Sequence, residues 1–161
     1  MGKPPDEELQ FRRRQDNPAC PSDRIVRGSR QSSSGTFQYF REAILGKGQD
    51  FALGTMDLNG SKEVIDLVAR TPCAIAYTGM GYVTKDVKAL CISRGGQPCV
   101  RPLPETALNR SYPIARELYM LTLGKPSGDV AEYLAWIRGR EAQELVREKG
   151  FVAVDESGYA L

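Results

Sequence analysis

From Arg30 to Thr36 the chain reads Arg30-Gln31-Ser32-Ser33-Ser34-Gly35-Thr36, between a strand-like stretch and an amphipathic helix. These residue types can hold an oxyanion. Backbone N–H groups in the first turn of a helix have no intrahelical partner, and the helix dipole adds partial positive charge there. Gly35 lets an anion come close to the main chain. Ser34 and Thr36 add hydroxyl donors, and Arg30 adds a planar fork that matches a pair of anion oxygens. The same junction also serves plain helix capping, and at this level both readings stand.

Other anion signatures fail. No G-x-x-x-x-G-K-[ST] occurs, and Gly79-Met80-Gly81-Tyr82-Val83-Thr84 lacks the third glycine of a dinucleotide fingerprint. That stretch reads instead as the turn after a buried strand. The chain contains no histidine, which removes Ser-His-Asp and Cys-His catalysis, histidine bases and histidine metal ligands together. No catalytic residue, metal site or cofactor is expected. Asp57, Asp66 and Asp86 read as solvated loop or helix residues. An enzyme acting on phosphate esters would have only the anion cradle to support it.

The cradle needs elements to position it. Arg24-Ile25-Val26-Arg27 reads as a strand that leads into the Ser/Thr/Gly loop. Phe37, Phe40, Ala43 and Ile44 repeat at helical spacing until Gly46 and Gly48 stop the helix. Ser61 is placed to cap a second helix, with Val64, Ile65 and Val68 on one face. Ala74-Ile75-Ala76-Tyr77 suits a buried strand, and Val87–Ile92 and Arg116–Thr122 also read as strands. Pro104 starts a short helix through Asn109. A further helix follows Ser127, with Val130, Tyr133, Leu134 and Ile137 on one face. A last helix groups Ala142, Leu145 and Val146 and ends at Gly150. Tyr119 and Tyr133 are expected in the core. Strands alternating with helices imply an α/β protein with a parallel or mixed sheet.

Composition bounds the rest. The 161 residues are 41% hydrophobic and 26% charged, an ordinary globular balance. No apolar run approaches the roughly 18 residues that would span a bilayer. The net charge of +2 is accounted for by residues 1–30, which hold seven basic and five acidic side chains. A neutral body argues against a nucleic-acid partner. Residues 1–23, with Pro4, Pro5, Pro18, Pro21 and Arg12-Arg13-Arg14, read as a flexible or divergent arm. Their start carries no apolar core of a secretory signal, so none is expected. Cys20, Cys73, Cys91 and Cys99 form no C-x-x-C. They read as buried thiols or, for Cys91 and Cys99, as a disulfide across the turn Arg94–Pro98.

Taken in order, these stretches resemble a known family. Arg-x-x-x-Ser-Gly-Thr followed by Phe37-Gln38-Tyr39-Phe40 is similar to the phosphate-binding proteins of high-affinity phosphate ABC transporters. Ala74-Ile75-Ala76-Tyr77-Thr78-Gly79-Met80-Gly81-Tyr82 resembles that family's AIGY strand and turn, with Ala76 in place of its glycine. Val87-Lys88-Ala89-Leu90 matches its VKAL. Tyr112–Tyr119 is similar to its YPLARPLY, with Glu117 in place of a proline. Gly139–Val146 and Gly150–Val154 are similar to its closing motifs. The likeness covers about residues 24–155.

The resemblance implies an α/β, type II periplasmic-binding-protein-like fold. It implies one complete lobe over 24–115 and part of the other over 116–161, the first lobe being largely missing. Arg30, Ser34, Gly35 and Thr36 would contact inorganic phosphate, and a membrane permease would be the partner, outside the cytoplasm. The segment that supplies an aspartate for hydrogen phosphate in the family has no match here. Each missing charge-assisted hydrogen bond costs about 1.5–3 kcal/mol, so weak affinity is expected. The alternative is a structural or assembly partner that completes its broken lobe by self-association or with a second chain.

Overall fold

The computed structural model describes Cys20 and residues 24–154, which separate into two compact units between Thr78 and Gly79. The arm expected over residues 1–23 lies outside the described residues except for Cys20. Among the described residues no helix is long and apolar enough to cross a membrane.

The first unit is built on a three-stranded sheet in the order β2-β1-β3. Strand β1 (Val26–Arg30) lies in the middle, parallel to β2 (Met56–Leu58) and to β3 (Ala74–Ala76). Helix α1 (Gly35–Phe40) follows β1, and helix α2 (Ser61–Arg70) connects β2 to β3. Parallel neighbours require such crossovers. Gly28 pairs with Met56 on one side and Ala76 on the other. It is buried because α2 presses onto it. A Cβ there would stand 2.8 Å from Leu67 Cδ2 and 3.0 Å from the Ala76 Cβ. Val64, 1% exposed, and Phe37 supply the apolar core of this unit. Around them Phe37, Phe40, Phe51 and Tyr77 form an aromatic cluster.

The central strand starts at Val26 and ends at Arg30, two to three residues later than the sequence pattern predicts. The helix after the loop also changes character. From Arg41 to Leu45 it widens into a π-helical turn, closed by the Gly46 amide donating to the Arg41 carbonyl. This winding rotates Ile44 off the apolar stripe, and 47% of it is exposed. Gly60, not Ser61, caps α2, and Ser61 becomes its first residue.

The second unit holds α3 (Pro104–Leu108), α4 (Gly128–Arg138) and α5 (Arg140–Glu148). Buried Gln143 ties it together. Its side-chain amide donates to the Ile137 carbonyl at 2.8 Å and accepts from the Val154 amide at 2.8 Å. Gly150, at φ +76°, ends α5 in the left-handed conformation and meets the backbone of Gly81. A Cβ on Gly81 would lie 2.8 Å from the Lys149 carbonyl oxygen.

Two strands expected from the sequence are absent. Val87–Ile92 is irregular except for one antiparallel bridge between Ile92 and Val100. Arg116–Thr122 forms no strand, because no neighbouring strand among the described residues receives its backbone bonds. A lone strand has no ladder to hold it. Tyr119, in that stretch, and Tyr133, on α4, are not core residues: they are 78% and 56% exposed.

The thiol reading is also corrected. Cys91 and Cys99 are bridged across the turn, and Cys20 is bridged to Cys73 over 53 residues. No described cysteine is free. The long bridge was not expected. It fastens Cys20 to the residue that precedes β3, whose carbonyl accepts the Val26 amide at the start of β1. Closing so long a loop restricts the unfolded chain strongly, so removing it costs about 2–5 kcal/mol. Denaturant unfolding with and without reductant is expected to show that loss. A Cys73→Ser variant is expected to reproduce most of it under oxidising conditions.

Candidate functional site

All three parallel strands end at one edge of the sheet, and the cradle residues gather there. Ligands of open α/β sheets bind at such carboxyl ends, where strands give way to helix N-termini. Arg30 is the last residue of β1. The chain then turns tightly, with the Ser34 amide donating to the Gln31 carbonyl at 2.9 Å, and enters α1. Ser34 is the N-cap, and its hydroxyl oxygen accepts the Thr36 amide at 3.2 Å. Gly35 and Thr36 form the first turn. The Gly35 amide has no hydrogen-bond partner among the described residues. The residues that cap the helix are thus the same ones that the sequence offers as an anion cradle. Ser34 uses its oxygen as an acceptor and keeps its proton to donate.

Arg30 is held from the neighbouring strand-to-helix junction. Its Nη1 donates to Ser61 Oγ at 3.0 Å, and its Nη2 donates to the Asn59 carbonyl at 3.2 Å. Asn59 is steadied in turn by its amide donating to the Glu63 carboxylate at 2.9 Å. Two of the five guanidinium N–H groups are therefore used internally. The Nε proton is buried and has no hydrogen-bond partner. A buried N–H donor without an acceptor is costly. An anion against this edge would supply one.

Sequence reasoning named Arg30, Ser34, Gly35 and Thr36 as candidates, and the structure places Arg30 at the end of β1 and the other three at the start of α1. It missed Asn59 and Ser61 as the residues that aim Arg30. The available signal was Asn59-Gly60-Ser61 opening a helix. Its link to Arg30, about thirty positions earlier, depends on β2 lying beside β1. It also missed the pair beneath the arginine. Fully buried Ser29 has its Oγ 2.6 Å from the Tyr77 hydroxyl, which also accepts the Arg30 amide at 3.3 Å.

Known proteins resemble this chain over most of its length. A family described as the PBP superfamily domain matches residues 13–141. The phosphate-binding protein PstS of Pseudomonas aeruginosa is 32% identical over 128 residues, which is 76% of this chain and 39% of that protein. PstS of Borreliella burgdorferi is 27% identical over 83% of this chain and 50% of its own length. A Clostridium perfringens protein whose crystal structure holds bound phosphate superposes with a TM-score of 0.64. It is 25% identical, over 81% of this chain and 52% of that one. A phosphate-binding protein of a phosphate ABC transporter from Streptococcus pneumoniae gives 0.61 at 27% identity, over 80% and 51%. The chain thus spans about half the length of the relatives it matches, with the α/β fold of type II periplasmic binding proteins over that part. It belongs to the PBP (periplasmic binding protein) superfamily.

Proposed function

We propose that the chain binds inorganic phosphate as part of the substrate-binding component of a phosphate ABC importer. Arg30, Ser34, Gly35 and Thr36 are the contacts. The observation that carries this reading is the buried, unpartnered Nε of Arg30, the last residue of the strand that turns directly into the Ser34-capped helix α1. Arg30 supplies charge and directed N–H groups. Ser34 and Thr36 supply hydroxyls, and exposed Gly35 supplies a main-chain amide. These groups bind and do not react: the role is recognition without catalysis. On this reading residues 24–115 are the lobe that carries the contacts, residues 116–161 lead back toward the other lobe, and the permease receives the loaded protein. The phosphate-binding relatives support the substrate. The two disulfides support an oxidising compartment outside the cytoplasm.

Isothermal titration with phosphate, sulfate as the control, tests this. Phosphate is expected to bind in preference to sulfate. Arg30→Ala removes charge-assisted hydrogen bonds worth about 1.5–3 kcal/mol, so affinity is expected to fall roughly 10- to 100-fold. Absence of phosphate binding by the unaltered chain would refute the reading, and so would equal binding by Arg30→Ala.

A second reading, an assembly partner, draws on the stretch after Arg116. Leu118, Tyr119, Leu121 and Leu123 are 73%, 78%, 92% and 106% exposed. Glu117 beside them is held below the usual carboxylate range by a hydrogen bond from its own backbone and by Arg110, 2.6 Å away. Exposed apolar side chains on unpaired backbone invite a partner. Light scattering across a concentration series is expected to show self-association that Leu121→Asp with Leu123→Asp abolishes. A monomer at every concentration would count against it.

A further inference from the structure

Strand β3 stops at Ala76, opposite Gly28. The last two residues of β1, Ser29 and Arg30, therefore have no strand beside them on that side. On the other side the Gln31 amide donates to the Leu58 carbonyl. Because backbone groups alternate along a strand, the N–H and C=O of Arg30 face the side where β3 has ended. A buried edge left in that state needs acceptors and donors from somewhere else.

Two hydroxyls supply them. The Arg30 amide donates to the Tyr77 hydroxyl at 3.3 Å, and the Ser29 hydroxyl donates to the Arg30 carbonyl at 3.1 Å. The 2.6 Å contact between the two hydroxyls then has one consistent direction. Ser29 has given its proton to the carbonyl, so Tyr77 donates to Ser29. The result is a closed ring: Arg30 N–H to Tyr77, Tyr77 to Ser29, Ser29 to Arg30 C=O. Each hydroxyl donates once and accepts once.

The same tyrosine also touches the helix that carries the rest of the cradle. Its ring lies face to face on Phe40 of α1, with centroids 3.9 Å apart and planes 2° from parallel, and 5.8 Å from Phe51. Tyr77 therefore grips the end of β1 through its hydroxyl and α1 through its ring. Those are the two elements that bear Arg30 on one side and Ser34, Gly35 and Thr36 on the other.

We propose that Tyr77 is a positioning residue of the phosphate site, fixing Arg30 relative to the first turn of α1 through the hydroxyl ring with Ser29. The proposal rests on the phosphate reading above for its functional consequence. Its structural part concerns the unliganded chain alone. Tyr77 touches no anion. It replaces the ladder bonds that a longer β3 would have made, and so holds the Arg30 backbone at the end of β1 against the element that its ring packs on, α1.

Tyr77→Phe separates the two grips, since the ring stays and the hydroxyl goes. In the unliganded chain, the NMR resonances of the Arg30 amide and Nε–H are expected to shift, with the circular dichroism spectrum retained. Phosphate affinity is expected to fall about tenfold, one buried hydrogen-bond arrangement having been lost. Ser29→Ala, which opens the ring from its other member, is expected to give the same pattern. The loss from Tyr77→Phe should persist in a Ser34→Ala background and shrink in an Arg30→Lys background. A merely structural tyrosine would weaken both backgrounds alike. Unchanged Arg30 resonances in both variants would overturn the proposal, as would equal losses in the two backgrounds. Shifted resonances in a chain whose unaltered form takes up no phosphate would refute the phosphate reading and uphold the placement of Arg30.

Discussion

Arg30 stands at the end of a sheet only three strands wide, and most of what surrounds it answers that position. Its flanking strands are three residues long, so the ladder runs out around it. Its backbone is completed by two hydroxyls, and its side chain is anchored by Ser61 and the Asn59 carbonyl. One of these groups, Ser29, belongs to β1 itself; the others come from the residue after β3, the loop after β2 and the first turn of α2. An arginine with several rotatable bonds would otherwise lose much of its usefulness to conformational freedom. Anchoring two of its N–H groups lowers that cost and leaves the fork with a fixed direction.

The choice of arginine follows from the same geometry. A lysine ammonium is a compact charge without a planar array of donors. At this edge the guanidinium must bond inward to two oxygens, and its remaining N–H groups stay with it. The planar fork bonds two oxygens of the protein and still carries further N–H groups. The Ser34 cap makes a parallel economy. One oxygen ends the helix by accepting the Thr36 amide, while its proton and the Gly35 amide stay available. The atoms that cap the helix are thus the same ones that the phosphate reading would use, which is why simple capping and anion recognition look alike in the sequence.

That overlap sets how much was legible. Arg30, Ser34, Gly35 and Thr36 stood out because they are close in sequence and of types that suit an oxyanion. The helix begun by Pro104, the one after Ser127 and the one ended by Gly150 were visible from local signals. What failed depended on distant partners. Strand β2 is too short to carry a pattern, so the proximity of Ser61 to Arg30 could not be read. The disulfide from Cys20 to Cys73 spans 53 residues with nothing local to announce it. Gln143, a polar side chain in an otherwise helical pattern, gave no sign that it would be buried and bridge two segments. The π-helical turn after Phe40 has no clear signature either, and it moved Ile44 away from the expected stripe.

The stretch from Arg116 to Thr122 shows the opposite error, and its cause is informative. Leu118 and Met120 would lie on one face of an extended chain, Tyr119 and Leu121 on the other. Both faces are apolar, the pattern of a strand covered on both sides, as in the interior of a parallel sheet. The composition therefore described an environment rather than a conformation, and within the described residues that environment is not present. Fully burying side chains of this size is worth roughly 1.5–3 kcal/mol each. Several together approach the whole stability of an ordinary domain, about 5–15 kcal/mol. A surface of that value favours whatever α/β sheet can receive it, and it weighs on the second unit in a way that the cradle in the first does not.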